Sequence, residues 1–130
     1  VKSKYVTDSM ALILRLEKRK MPQRVKAIFE EVENDTTDLL IPAMVLAEIG
    51  YLSEKKKIDT NLKEAKTFIT KHNTVTVEPI THEIVEETFH IDDILELHDR
   101  IIAATAKHWD VQLITNDPMI IASKHINTIW

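Results

Sequence analysis

The chain has no cysteine, one glycine (Gly50) and four prolines among 130 residues, and aromatic residues make up only 5%. Without cysteine there is no disulfide framework, no thiolate metal site and no cysteine nucleophile. So little glycine and proline argues against a turn-rich β-sandwich and for a helix-rich domain. No apolar run reaches the roughly 18 residues that a membrane helix needs. No basic-then-apolar leader with a small-residue cleavage site is seen, so a cytoplasmic home is the expectation. A positive excess is missing as well: 17 Lys and Arg face 21 Asp and Glu, a net charge of −4. That balance argues at first against a polyanionic partner.

What is present is enough apolar material for a core, 44% of the chain, and a telling placement of acids. The length fits one domain over residues 1–130. Asp8, Glu48, Asp99 and Asp117 each end, or interrupt, an otherwise apolar stretch: YVTD, IPAMVLAEIGYL, DRIIAATA and VQLITND. A carboxylate in such a place is costly unless something neutralises it. Four that converged would repel one another, and a hard divalent cation is the natural remedy. Setting these four of the 21 acids aside leaves 17 acids against 17 basic residues, so the remainder is neutral. The basic residues are also clustered: Arg15, Lys18, Arg19, Lys20, Arg24 and Lys26 in one run, then Lys55, Lys56 and Lys57. Such runs suit a phosphate backbone, or they are solvated helix ends.

Periodicity places the acids on elements. Lys4–Thr7 reads as a strand, followed by a helix from Ser9 to about Lys20 with Leu12, Ile13 and Leu16 inward. Val25, Ile28, Phe29 and Val32 form an amphipathic stripe after Pro22. Asn34–Asp38 reads as a polar break, Leu39–Ile41 as a strand, and Ala43–Glu54 as a helix whose only charge before its last turn is Glu48. Asn61 and Glu64 suggest a capping box opening a helix that buries Leu62, Ala65 and Ile69. Thr74–Glu78 alternates as a strand, and Thr81 caps a further helix. Asp99 is expected to open a helix through Lys107, Val111–Thr115 to form a buried strand, Asp117–Ser123 a short helix, and Ile126–Trp130 a last strand. Strands alternating with helices five times over predict a parallel sheet with helices on both faces. In such sheets ligands bind beyond the carboxyl ends of the strands, where Asp8 and Asp117 fall.

Each acid has a plain structural alternative. Asp8, Asp99 and Asp117 could serve only as N-caps, and Glu48 could occupy a narrow solvent-facing edge. The coincidence of one acid at one end of four different crossover units carries the inference. His82-Glu83-Ile84-Val85-Glu86 begins like a zincin motif, but Glu86 stands where the second histidine belongs, so surface histidines are the better reading. An aspartyl-phosphate mechanism at Asp8 lacks the second Asp two residues on, where Met10 stands.

YVTDS, VLAEIGYL, HDRIIAATA and LITND, in this order over essentially the whole chain, resemble the PIN domain family, in particular its VapC-type toxins. The resemblance implies a three-layer α/β/α sandwich with a central five-stranded parallel sheet. It implies a Mg²⁺- or Mn²⁺-dependent endoribonuclease, with Asp8, Glu48, Asp99 and Asp117 as the catalytic quartet. Asp8, Asp99 and Asp117 would be the metal ligands, Glu48 would orient or deprotonate water, and Ser9 and Thr115 would support them. Arg15, Lys18, Arg19, Lys55 and Lys56 are candidate contacts to the RNA backbone. Few aromatics argue against extensive base stacking. A cognate antitoxin, docked on an apolar groove near Leu16, Met21, Val25 and Phe29, and a homodimer are the implied partners. Three positions depart from the family pattern: Met10 replaces a Ser or Asn, Met119 an acid, and Asp110 a glycine. The two methionines favour the alternative of a catalytically inactive PIN-like interaction module.

Overall fold

The computed structural model describes residues 2–130. Five strands form one all-parallel sheet in the order β3-β2-β1-β4-β5. They are β1 (Ser3–Thr7), β2 (Thr37–Pro42), β3 (Val75–Glu78), β4 (Gln112–Ile114) and β5 (Thr128–Ile129). The helices are α1 (Ser9–Leu16), α2 (Gln23–Glu33), α3 (Ala43–Glu54), α4 (Leu62–Lys71), α5 (His82–Thr88), α6 (Leu97–Trp109) and α7 (Pro118–Ile121). Helices α1, α3 and α4 pack against one another, and α5 packs on α6, which lies against β1 and β4. The sandwich is the α/β architecture expected.

The central strands are covered on both faces. β2 is buried at Thr37, Leu39, Leu40, Ile41 and Pro42, the near-continuous pattern of a strand inside a parallel sheet. Ala103, Ala104 and Ala106 are buried in α6, where side chains this small let the helix approach the sheet closely. Chain order makes β1 the hinge of the sheet: the chain moves outward from β1 to β2 and β3, then crosses back to β4 on the other side. The gap between the carboxyl ends of β1 and β4 is therefore the topological switch point, where open α/β sheets place their ligands.

Several boundaries differ from the periodicity. α1 stops at Leu16, not near Lys20, because Glu17 caps it and Lys18 turns left-handed at φ 54°. Glu17 instead accepts backbone hydrogen bonds from Asp59 (2.7 Å) and Thr60 (2.9 Å), tying α1 to the loop before α4. β2 begins at Thr37, inside the expected polar break. Leu62 is 48% exposed; as the first residue of α4 it sits outside the face that buries Ala65. Asp110 takes the left-handed conformation (φ 54°) that ends α6, which is why a glycine suits this position and why Asp, tolerant of that region, can replace it. No helix among the described residues is long and apolar enough to cross a membrane.

Candidate active site

The four acids gather around the switch point, near enough for their charges to act on one another. Asp8 follows β1 and caps α1, its Oδ1 accepting from the Ala11 backbone N–H at 2.8 Å. The Asp8 N–H donates to the Ile114 carbonyl at 3.1 Å, so the ends of β1 and β4 are joined at this point. Thr115, fully buried, directly follows β4, and its Oγ1 accepts from the Asp117 N–H at 3.0 Å. Asp117 caps α7 through Met119 N–H at 2.8 Å. Two of the three expected N-caps are therefore real, yet capping and convergence coexist in the same side chains. Asp99 is the exception: Glu96 caps α6, accepting from the Asp99 N–H at 2.8 Å, and Asp99 lies in the first turn. The helix starts two residues earlier than its apolar run indicates, because Leu97 is tolerated exposed.

Glu48 approaches from α3. Its Oε1 accepts a 2.5 Å hydrogen bond from the Ser9 hydroxyl, and its Oε2 lies 3.9 Å from His98 Nδ1. α3 is less enclosed than its composition indicates: only Val45 and Ile49 are fully buried, and the edge carrying Glu48 opens to the rim.

Electrostatics tie the four together. Burial raises the Asp8 carboxyl to a pKa of about 6; the Thr115 hydroxyl and the Ala11 N–H lower it in part, and the charges of Asp117 and Glu48 raise it again. Asp99 is also raised to about 6, by desolvation first and then by Asp117, Glu96, Glu48 and Asp8. Asp99 thus feels the other three acids, and Asp8 feels Asp117 and Glu48. Among the groups that set these values there is no cation. Such a set of hard, under-neutralised oxygens fits a divalent cation. By contrast, Asp92, Asp93 and His125 are the only acid-imidazole trio among the described residues whose ligand atoms all lie within 4.8 Å. They belong to the α5–α6 and α7–β5 connections, not to this rim.

The basic residues do not share the rim. Arg15, about 10 Å along α1 from Asp8, is held by Glu33 in a two-pronged ion pair at 2.7 and 2.6 Å. Arg15 is therefore a link between α1 and α2, not a free phosphate contact. Lys18, Arg19, Lys20, Lys26 and Lys71 line a cleft of about 1120 Å³ between the α1–α2 turn and α4, with Leu16, Met21 and Phe68 among its apolar walls. Val25 and Phe29 are fully buried core residues and cannot face a partner there. Lys55 caps the end of α3, its ammonium 5.4 Å from the centre of the Tyr51 ring, and Lys56 follows in a left-handed turn. His82 is exposed on α5 and pairs with Glu86 at 2.6 Å, the surface role expected for it. The sequence gives no sign that Glu96 caps α6. Tyr51 lies three residues after Glu48 on α3.

A PIN domain family model matches residues 5–124. No curated protein matches the chain in sequence. Among solved structures, VapBC2 from Rickettsia felis, bound to a DNA fragment from its promoter, is similar with a TM-score of 0.74 at 18% identity, over 98% of each chain. DNA-bound VapBC from Salmonella typhimurium gives 0.74 at 19% identity, over 98% of this chain and 97% of that one. VapC20 from Mycobacterium tuberculosis, a sarcin-ricin loop cleaving toxin, gives 0.67 at 14% identity, over 91% and 93%. At these identities the likeness is one of fold.

Proposed function

The chain belongs to the PIN domain family, and from that premise we propose that it is a metal-dependent endoribonuclease, the toxin of a toxin–antitoxin pair, acting as a single cytoplasmic domain. The observation that carries this reading is the meeting of Asp8, Glu48, Asp99 and Asp117 at the β1/β4 switch point, with Asp8 and Asp99 both raised to about 6 and no cation among the groups acting on them. Likeness to VapBC complexes and to an RNA-cleaving toxin supports the toxin assignment.

Asp8, Asp99 and Asp117 would hold Mg²⁺ or Mn²⁺. A bound ion would supply Lewis acidity toward water and toward the charge on a phosphodiester. Glu48, fixed by the Ser9 hydroxyl, orients the attacking water and accepts its proton. Thr115 holds Asp8 and the backbone before Asp117 in register. Attack of water at phosphorus breaks the P–O3′ bond, leaving a 5′-phosphate and a 3′-hydroxyl. Unpaired RNA suits a shallow rim better than a duplex does.

The cleft lined by Leu16, Met21 and Phe68, ringed by Lys18, Arg19, Lys20, Lys26 and Lys71, is the place for the antitoxin, and a homodimer is the expected assembly. An inactive interaction module is the competing reading. Met10 and Met119 favour it, since both stand exposed beside the rim without offering a ligand oxygen. Cleavage of single-stranded RNA in Mn²⁺ by the wild type, and its loss in Asp99→Asn, is the test. Intact RNA with both proteins, across structured and unstructured substrates, leaves the module reading.

A further inference from the structure

The rim that would cut RNA is made of acids, so it repels the strand it must hold. Arg15 is locked to Glu33, and the lysines of the large cleft lie toward the far end of α1. One surface leads away from the acids with different chemistry. Along α3, Glu48, Tyr51 and Lys55 fall at i, i+3 and i+7, one continuous helix face about 10 Å long. Tyr51 is 60% exposed, and Lys55 Nζ lies 5.4 Å from its ring centre. An acid and an aromatic plane thus follow one another on α3, with a cation at its C-cap.

A cation over the ring does not set Tyr51 apart from the other exposed aromatics; its place three residues from Glu48 does. Trp109 carries Lys4 over its ring, and its indole N–H is bonded to Glu78 at 3.2 Å. Phe89 lies under Arg100 at the end of α5, with no member of the quartet on its helix.

We propose that Tyr51 and Lys55 form a nucleotide subsite, in which the Tyr51 ring stacks on an unpaired base next to the scissile phosphate and Lys55 holds the following phosphate. This rests on the ribonuclease reading above and deepens it. Stacking on an aromatic is tolerant of sequence because every base has a π-face. A helix-borne platform beside Glu48 therefore selects unstacked RNA without selecting a base. It acts in substrate positioning, not in the bond-breaking step.

The test uses a short fluorescent single-stranded RNA. Tyr51→Ala raises KM roughly five- to a hundredfold with kcat within about twofold, and Tyr51→Phe restores it. Lys55→Ala lowers the salt slope of binding by about 0.7. The same affinity losses appear by anisotropy in an Asp99→Asn background, and Phe89→Ala produces neither. A wild type that cleaves while Tyr51→Ala keeps its KM overturns the subsite and leaves the nuclease reading intact. A change of oligomeric state in Tyr51→Ala by sedimentation makes Tyr51 an interface residue and likewise overturns the subsite. A wild type that neither binds nor cuts any single-stranded RNA removes the nuclease reading itself.

Discussion

Two carboxylate clusters in this molecule have opposite electrostatics. At the switch point, Asp8 and Asp99 are raised to about 6 by burial and by neighbouring acids. In the α5–α6 and α7–β5 connections, Asp92 and Asp93 are held below the usual carboxylate range. Asp93 accepts from the Ser123 hydroxyl (2.7 Å) and the Lys124 N–H (2.8 Å), and Asp92 pairs with His125 at 2.9 Å. The second cluster has its ligand atoms closer together, yet its charges are already satisfied and it works as a staple between two loops. The first is looser, and its charges face other acids in spite of their hydrogen bonds. On this contrast we propose the first cluster as the cation site, on charge left unopposed and not on proximity of oxygens.

The comparison breaks most visibly in catalysis. Asp99→Asn is expected to lower RNA cleavage by at least about 10²–10³-fold, the scale of losing one group that stabilises developing charge, whereas Asp93→Asn leaves the rate unchanged in the same gel or fluorescence assay. Next in size is metal-linked stability. Mn²⁺ at a hundred times its Kd adds about 2.7 kcal/mol, read as a rise in Tm. The rise disappears in Asp8→Asn and persists in Asp93→Asn. The reverse pattern would make the Asp92/Asp93/His125 trio the metal site.

How far the sequence carried depends on the kind of contact. Elements were legible wherever the apolar period is long, as in Val25, Ile28, Phe29 and Val32, all of which are buried. Boundaries were not legible where one side chain decides them: Glu17 ends α1 by turning to the Asp59 and Thr60 N–H groups, and Glu96 starts α6 ahead of Asp99. The four acids could be picked out because each interrupts an apolar run. Their meeting depends on β1 lying beside β4, with Val6 opposite Leu113, and no local pattern encodes that pairing; the motif resemblance implied it instead. The pairing of Arg15 with Glu33 is hidden for the same reason, since Glu33 lies a helix away. An aromatic total of 5% carries no information on where Tyr51 stands relative to Glu48.

Smaller effects sharpen the contrast through pH. In metal-free protein the raised Asp8 takes up a proton on folding, so stability falls as pH rises from its unfolded value of 3.8 through about 6. Asp8→Asn keeps an acceptor for the Ala11 N–H and removes the buried charge. It should raise metal-free stability at pH 7.5 by about 2 kcal/mol, given roughly 1.4 kcal/mol per pKa unit and some relaxation around the site, while abolishing cleavage. Urea midpoints of wild type and variant should converge below pH 4.

The least effect belongs to the staple, and its sign is opposite. Asp93 is lowered when folded, so its contribution is present above the ordinary carboxylate range and is lost as pH falls through the folded value. Asp93→Ala removes the acceptors for Ser123 and Lys124 and is expected to lower Tm slightly at pH 7, by less than the change in Asp8→Asn. The difference from wild type should shrink only below the ordinary carboxylate value of 3.8, after the Asp8→Asn advantage has already vanished between about 6 and 3.8. Measured side by side in urea, the two variants move the midpoint in opposite directions at pH 7. If Asp93→Ala instead stabilises the protein as Asp8→Asn does, the trio is under-neutralised as well, and the distinction between a staple and a cation site drawn from these two clusters does not hold.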